Sequence, residues 1–141
     1  MDAQLQTLID LQALDTKIAA LEAEQARLPR QIEAVQAAVA QARAGVQALK
    51  GKLDTAKKDA RSKEKDLEVC EVKRKKSEAR LYEVKTNKEY SAVLVEIEEI
   101  KQEKAKMEEE ILSLMETQER LVVEIRDAEA SLKTGESQGR E

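Results

Sequence analysis

The side chains able to do chemistry in this sequence form a short inventory. There are 29 carboxylates and 25 lysine and arginine cations, one thiol (Cys70), two phenols (Tyr82 and Tyr90), and no histidine. General acid–base catalysis near neutral pH draws most often on histidine, and a nucleophile needs a base held against it. The chain offers neither, and it has no Gly-rich loop to cradle a phosphate. Its densest acidic run, Glu108-Glu109-Glu110, sits among so many charges that it reads as a solvated helix face. A lone cysteine forms no internal disulfide and no cysteine-pair metal site. The expectation is therefore a protein that is not an enzyme and that carries no cofactor and no metal. The single thiol also fits a reducing, cytoplasmic setting.

Charges that do not catalyse can still pair or bind. Residues 50–88 carry 14 Lys and Arg against 8 Asp and Glu, a net of +6; residues 89–133 carry 6 against 13, a net of −7. Laying the first stretch along the second pairs opposite charges and disfavours self-pairing of either. The competing use of the basic stretch is a phosphate-binding patch at Lys73, Lys75, Lys76 and Arg80, which would make this an RNA-binding protein. An acidic neighbour, a total charge of −4 and only two aromatics for base stacking weigh against it. The two tyrosines read as local packing.

The elements that would position these groups are visible as two hydrophobic seams. Backwards from Val84, steps of three and four visit Leu81, Ser77, Arg74, Cys70, Leu67, Lys63, Ala60, Ala56, Leu53, Leu49, Val46 and Ala42. Forwards from Tyr90, the same steps visit Val93, Ile97, Ile100, Lys104, Met107, Ile111, Leu114, Gln118, Leu121, Ile125, Ala128 and Leu132. Each pair of partners adds to 174, so every layer sets a heptad a against a d, as antiparallel helices require. The fold class is all-α: a long antiparallel coiled-coil helical hairpin with a kink near Pro29. A thin seam encloses no pocket. No apolar run approaches the ~20 residues of a membrane helix, and the start Met1-Asp2-Ala3-Gln4-Leu5 has no signal-peptide pattern.

The domain boundaries follow. Residues 42–133 form the hairpin, with its tip at 85–89. Thr86 and Glu89 stand at capping-box spacing there, and Asn87 is suited to end the first helix in a left-handed conformation. Gly45 and Gly51 are rival turn positions, each about 1 kcal/mol worse than Ala inside a helix. Pro29 should bend or briefly break the first helix. The second helix should end before Gly135, leaving 134–141 as a disordered tail. The tip residues Lys85, Asn87, Lys88, Glu89 and Tyr90 form one candidate partner-binding set.

Residues 1–41 form an N-terminal arm with no partner left in the hairpin. Yet its Leu14, Ile18, Leu21, Leu28, Ile32, Val35 and Val39 continue the seam in phase, and 17 of the 21 seam positions from Leu14 to Val84 are apolar. A bare apolar stripe of that length marks an interaction site. The arm is the second candidate surface, for a partner or for a homodimer.

Three motifs carry a family resemblance: Leu8, Leu11, Leu14 and Asp15; the Leu28-Pro29 dipeptide; and the string Val84-Lys85-Thr86-Asn87-Lys88-Glu89-Tyr90-Ser91-Ala92. Together they resemble the bacterial family that joins a coiled-coil hairpin to a four-cysteine zinc ribbon. The resemblance implies a kinked helical hairpin and an adaptor role, with an alternative sigma factor or a secretion or flagellar component as partner, or an association with RNA. The chain departs from the family in having no C-x-x-C, so no zinc site carries over, and it reads as a shortened member or a fragment. Two other hairpin types fit worse. Transcript-cleavage factors carry acids at the tip, where this chain has Lys85 and Lys88; prefoldin-like chaperones need strands between the helices. The expected function is a non-enzymatic protein-interaction scaffold with no membrane contact.

Overall fold

The computed structural model describes residues 2–140. They form two α-helices, α1 (Asp2–Arg80, 79 residues) and α2 (Asn87–Arg140, 54 residues), with no strand among the described residues. Helix-favouring Ala, Glu, Lys, Leu and Arg dominate both. Asp2 in the first turn of α1 and Arg80 in its last complement the helix dipole. The chain divides into two units, Val46–Ala128 and Met1–Gly45 with Glu129–Glu141.

In the first of these units the burial pattern reproduces the seam. The buried residues are Val46, Ala56, Ala60, Cys70 and Ser77 on α1 and Val93, Ile97, Ile100, Leu121 and Ile125 on α2. All ten are seam positions, and the remaining seam residues between Val46 and Val84 are half-buried. The buried set on α1 is small and that on α2 is mostly branched and large, so bulky side chains of one helix fill space left by the other. Ser77 and Ile97, partners by number, are both buried. Tyr90 departs from the pattern: it is exposed, and the α2 seam begins at Val93.

In the second unit α2 runs on past its expected end. It was to end before Gly135, but Gly135 and Gly139 continue the three-four steps from Leu132 and pair by number with Val39 and Val35 respectively. A Cβ built on Gly135 would lie 3.8 Å from Val39 Cγ2, and one on Gly139 would lie 3.3 Å from Val35 Cγ1. Seam contact with two valines holds the helix where propensity alone would release it. Arg43 grips the same segment, donating from Nε and Nη2 to Glu136 Oε1 at 2.9 and 2.7 Å. The expected disordered tail is therefore helix through Arg140.

Pro29 lies inside α1 without breaking it. Its missing N–H deprives only the Gln25 carbonyl, and Gln25 lies on an exposed stretch where water can take that bond. Gly45 and Gly51 are likewise interior to α1, so neither is the hairpin turn. Nothing lies within 4 Å of a Cβ added to either. Gly45→Ala and Gly51→Ala are each expected to stabilise the chain by about 1 kcal/mol through helix propensity. Urea unfolding followed by circular dichroism checks this.

Candidate functional site

The tip is built by hydrogen bonds that close α1 and open α2. The Leu81, Tyr82 and Glu83 amides donate three residues back to Glu78, Ala79 and Arg80 carbonyls at 3.0–3.2 Å, and Val84 also donates to Arg80 at 3.1 Å. These tightened turns satisfy carbonyls that the helix end leaves over. Thr86 then caps α2: its Oγ1 accepts the Glu89 amide at 3.1 Å. Glu89 Oε2 reaches back to the Lys85 amide at 3.2 Å, one residue earlier than the usual capping box. Asn87 is the first residue of α2 and, among the described residues, no non-glycine has a positive φ, so the expected left-handed stop at Asn87 is absent. The Thr86 cap ends the turn without it.

With the backbone so occupied, the tip side chains face solvent. Lys85, Asn87, Lys88, Glu89 and Tyr90 are all exposed. Tyr82 is 92% exposed, which corrects the expectation that it packs locally and adds it to this surface. The signal was in the numbering: Tyr82 falls one position past Leu81, off the seam.

The arm is the other surface, and it belongs to the unit that holds the end of α2. Val39 is half-buried there, whereas Leu14, Ile18, Leu21, Leu28 and Ile32 are 44–66% exposed and Val35 is at the margin. Leu5, Leu8, Ile9 and Leu11 are exposed as well. A face of one heptad phase thus passes from covered to bare within one turn.

The basic patch divides. Arg80 donates from Nη1 to Glu96 Oε2 at 2.9 Å, so it serves the helix pair. Lys73, Lys75 and Lys76 are exposed and make no ion pair among the described residues. No group of three or more His, Cys, Asp or Glu among the described residues is placed to hold a metal ion, and no described helix is long and apolar enough to cross a membrane.

A family model, the CT398-like coiled coil hairpin domain, matches residues 11–141, which takes in the tip, both seams and most of the arm. The chain belongs to that family. No curated protein and no solved structure matches it. A coiled coil hairpin domain points to a structural or interaction role.

Within this hairpin the three cationic seam residues, Lys63, Arg74 and Lys104, are each held by carboxylates. Lys63 Nζ meets Glu110 Oε2 at 2.7 Å. Glu71 takes Lys104 Nζ at 2.5 Å and Arg74 Nη2 at 2.9 Å, and Arg74 Nη1 reaches Glu78 at 3.2 Å. Flanking acids at the edge of the seam were visible as charges but not as partners, because heptad counting tracks only the central stripe. The hydrogen bond from Lys63 holds the Glu110 carboxyl below its ordinary value, and the bonds from Lys104 and Arg74 do the same for Glu71. Lys63 is raised in turn by Glu110.

A depressed carboxyl contributes stability that is present above its unfolded value and lost as pH falls through the folded one. The thermal midpoint should therefore drop as pH is lowered below the ordinary value of 4.5. The Glu71→Gln, Glu110→Gln double variant should show a flatter acid limb. Lys63 acts at the other end: its contribution is present below 10.5 and is lost as pH rises through its higher folded value. Melts between pH 2 and 11 test both limbs.

Proposed function

We propose that the chain is a non-enzymatic interaction module, a coiled-coil scaffold that presents a polar tip and an apolar arm. The observation that carries this reading is the bare seam. Apolar positions of one phase are half-buried at Val39 and buried at Val46 but exposed at Leu14, Ile18, Leu21, Leu28 and Ile32, and such a stripe favours association. The tip supports it too, since its backbone bonds are satisfied while Tyr82, Lys85 and Lys88 stand out into solvent. An exposed tyrosine beside cations suits a partner with an acidic surface.

The resemblance to the hairpin and zinc-ribbon proteins suggests the class of partner: an alternative sigma factor, or a secretion or flagellar component. Calorimetric titration of such purified proteins into the chain tests this. Binding weakened at least about tenfold by Lys85→Ala, Lys88→Ala and Tyr82→Ala together is expected. Affinity unchanged by the triple variant would remove the tip from the reading, and no binding to either class would remove the adaptor role.

A second reading, RNA binding along α1, is favoured by one observation: Lys73, Lys75 and Lys76 are exposed and unpaired. Mobility shift of RNA, abolished by Lys75→Ala with Lys76→Ala and by modest salt, is expected only in that case.

A further inference from the structure

We propose that the hairpin has a second register, one heptad from the observed one: α2 slides by seven residues along α1, partner numbers add to 181 instead of 174, and the tip lengthens. A slide of one heptad is the smallest that keeps every a against a d.

Three observations lead there. The first is mismatch. In the observed register, five of the twelve layers from Val46 to Val84 set a polar side chain against an apolar one. Ser77, Arg74 and Lys63 face Ile97, Ile100 and Ile111, while Lys104 and Gln118 face Cys70 and Ala56. Ser77 is only 4% exposed there. At 181, Ser77 meets Lys104 and Lys63 meets Gln118, and Arg74 against Met107 is the one mismatch left. The three isoleucines then meet Val84, Leu81 and Cys70.

The second observation is that apolar pairing survives the slide. Within residues 46–128 the slide removes two layers, yet seven layers have two apolar members in either register. At the tip it gives up Tyr90, which is already exposed, and Val93.

The third is charge. Glu71 with Lys104 and Lys63 with Glu110 bridge the helices in the observed register and hold it, as does Arg80 with Glu96. Glu78 and Glu103 stand one heptad beyond Glu71 and Glu96, so at 181 they take Lys104 and Arg80 in the same geometry. The exposed Lys73 comes opposite Glu110. The opposite slide fails on the same ground, because it sets Lys63 against Lys104. A partner that grips only the lengthened tip draws the population toward the second register. That coupling rests on the tip being a binding surface; the two registers do not, and their test needs no partner.

Disulfide closure in the whole chain reads the register. In a Cys70→Ala background, Ala60→Cys is combined with Leu114→Cys, Leu121→Cys or Met107→Cys, pairs that meet at sums of 174, 181 and 167. One heptad is ~10 Å of helix, beyond the ~7 Å that a disulfide spans between Cα atoms. Each pair therefore closes only in its own register. In a glutathione buffer the Leu114 pair should close first. The Leu121 pair should close within one chain at least about tenfold faster than the Met107 pair, as a minor but populated state requires. Glu71→Gln should speed it and Glu78→Gln should slow it, since Lys104 exchanges the first carboxylate for the second. Circular dichroism of the closed form should stay helical. A Leu121 pair no faster than the Met107 pair, one indifferent to both substitutions, or one that closes with loss of the hairpin's helix would each overturn the proposal.

Discussion

Ile100→Ala is expected to lower the unfolding free energy of the hairpin by about 2–4 kcal/mol, whereas Leu112→Ala should change it by less than about 0.5. Both residues are large aliphatics on α2, twelve positions apart, and hydropathy does not separate them. Phase does. Ile100 is a seam residue, 8% exposed, and its carbonyl oxygen lies 3.5 Å from Cys70 Sγ across the helix pair. Leu112 stands one place past the seam residue Ile111 and is 60% exposed. Truncating Ile100 removes apolar surface from a buried seam site and leaves a void, so a cavity term adds to the transfer term. Truncating Leu112 removes a side chain that water already reaches. Chemical denaturation of the two variants decides the matter, and equal losses would mean that the seam is not where the hairpin is held.

The same distinction explains how much of the fold was legible before any coordinates. Two arithmetic runs meeting at one polar break contain nearly the whole hairpin, because a two-helix pair has a single contact line and that line must repeat every three or four residues. Thr86 and Glu89 were legible as a cap because capping is local chemistry. What escaped was whatever depends on a partner across the pair. The extension of α2 through Gly135 and Gly139 was hidden because glycine has no side chain to count, although both fall on the three-four steps. The carboxylates at Glu71 and Glu110 were hidden because they flank the seam. Tyr90 was over-read: it fits the count, but so near the cap it lies exposed.

The candidate surfaces were legible to a different degree. The apolar face of the arm was legible by counting alone, because its positions keep the three-four steps of the hairpin seam. The tip string was chosen partly by resemblance, and geometry adds to it the one residue that counting set aside, Tyr82. Of the four basic positions singled out, Arg80 is taken by Glu96, a pairing invisible without the register of the two helices.

The complementary sizes of the two buried sets lead to the other large effect. Ala60 is 6% exposed on α1, and its partner by number is the half-buried Leu114. Ala60→Leu should destabilise the hairpin by about 1–3 kcal/mol, because a well-packed seam accommodates added methylenes only by moving backbone or forcing rotamers. Leu114→Ala alone leaves a void and should also cost about 2–4 kcal/mol. Combined, the two changes exchange large and small across one layer while conserving its volume. The double variant is expected to recover most of both losses, giving a coupling energy of ~1–3 kcal/mol, far outside the few tenths seen for independent sites. A double-mutant cycle in urea measures it directly. Costs that simply add would show that Ala60 and Leu114 do not share a layer. The rule that partners add to 174 would then be broken near the middle of the hairpin.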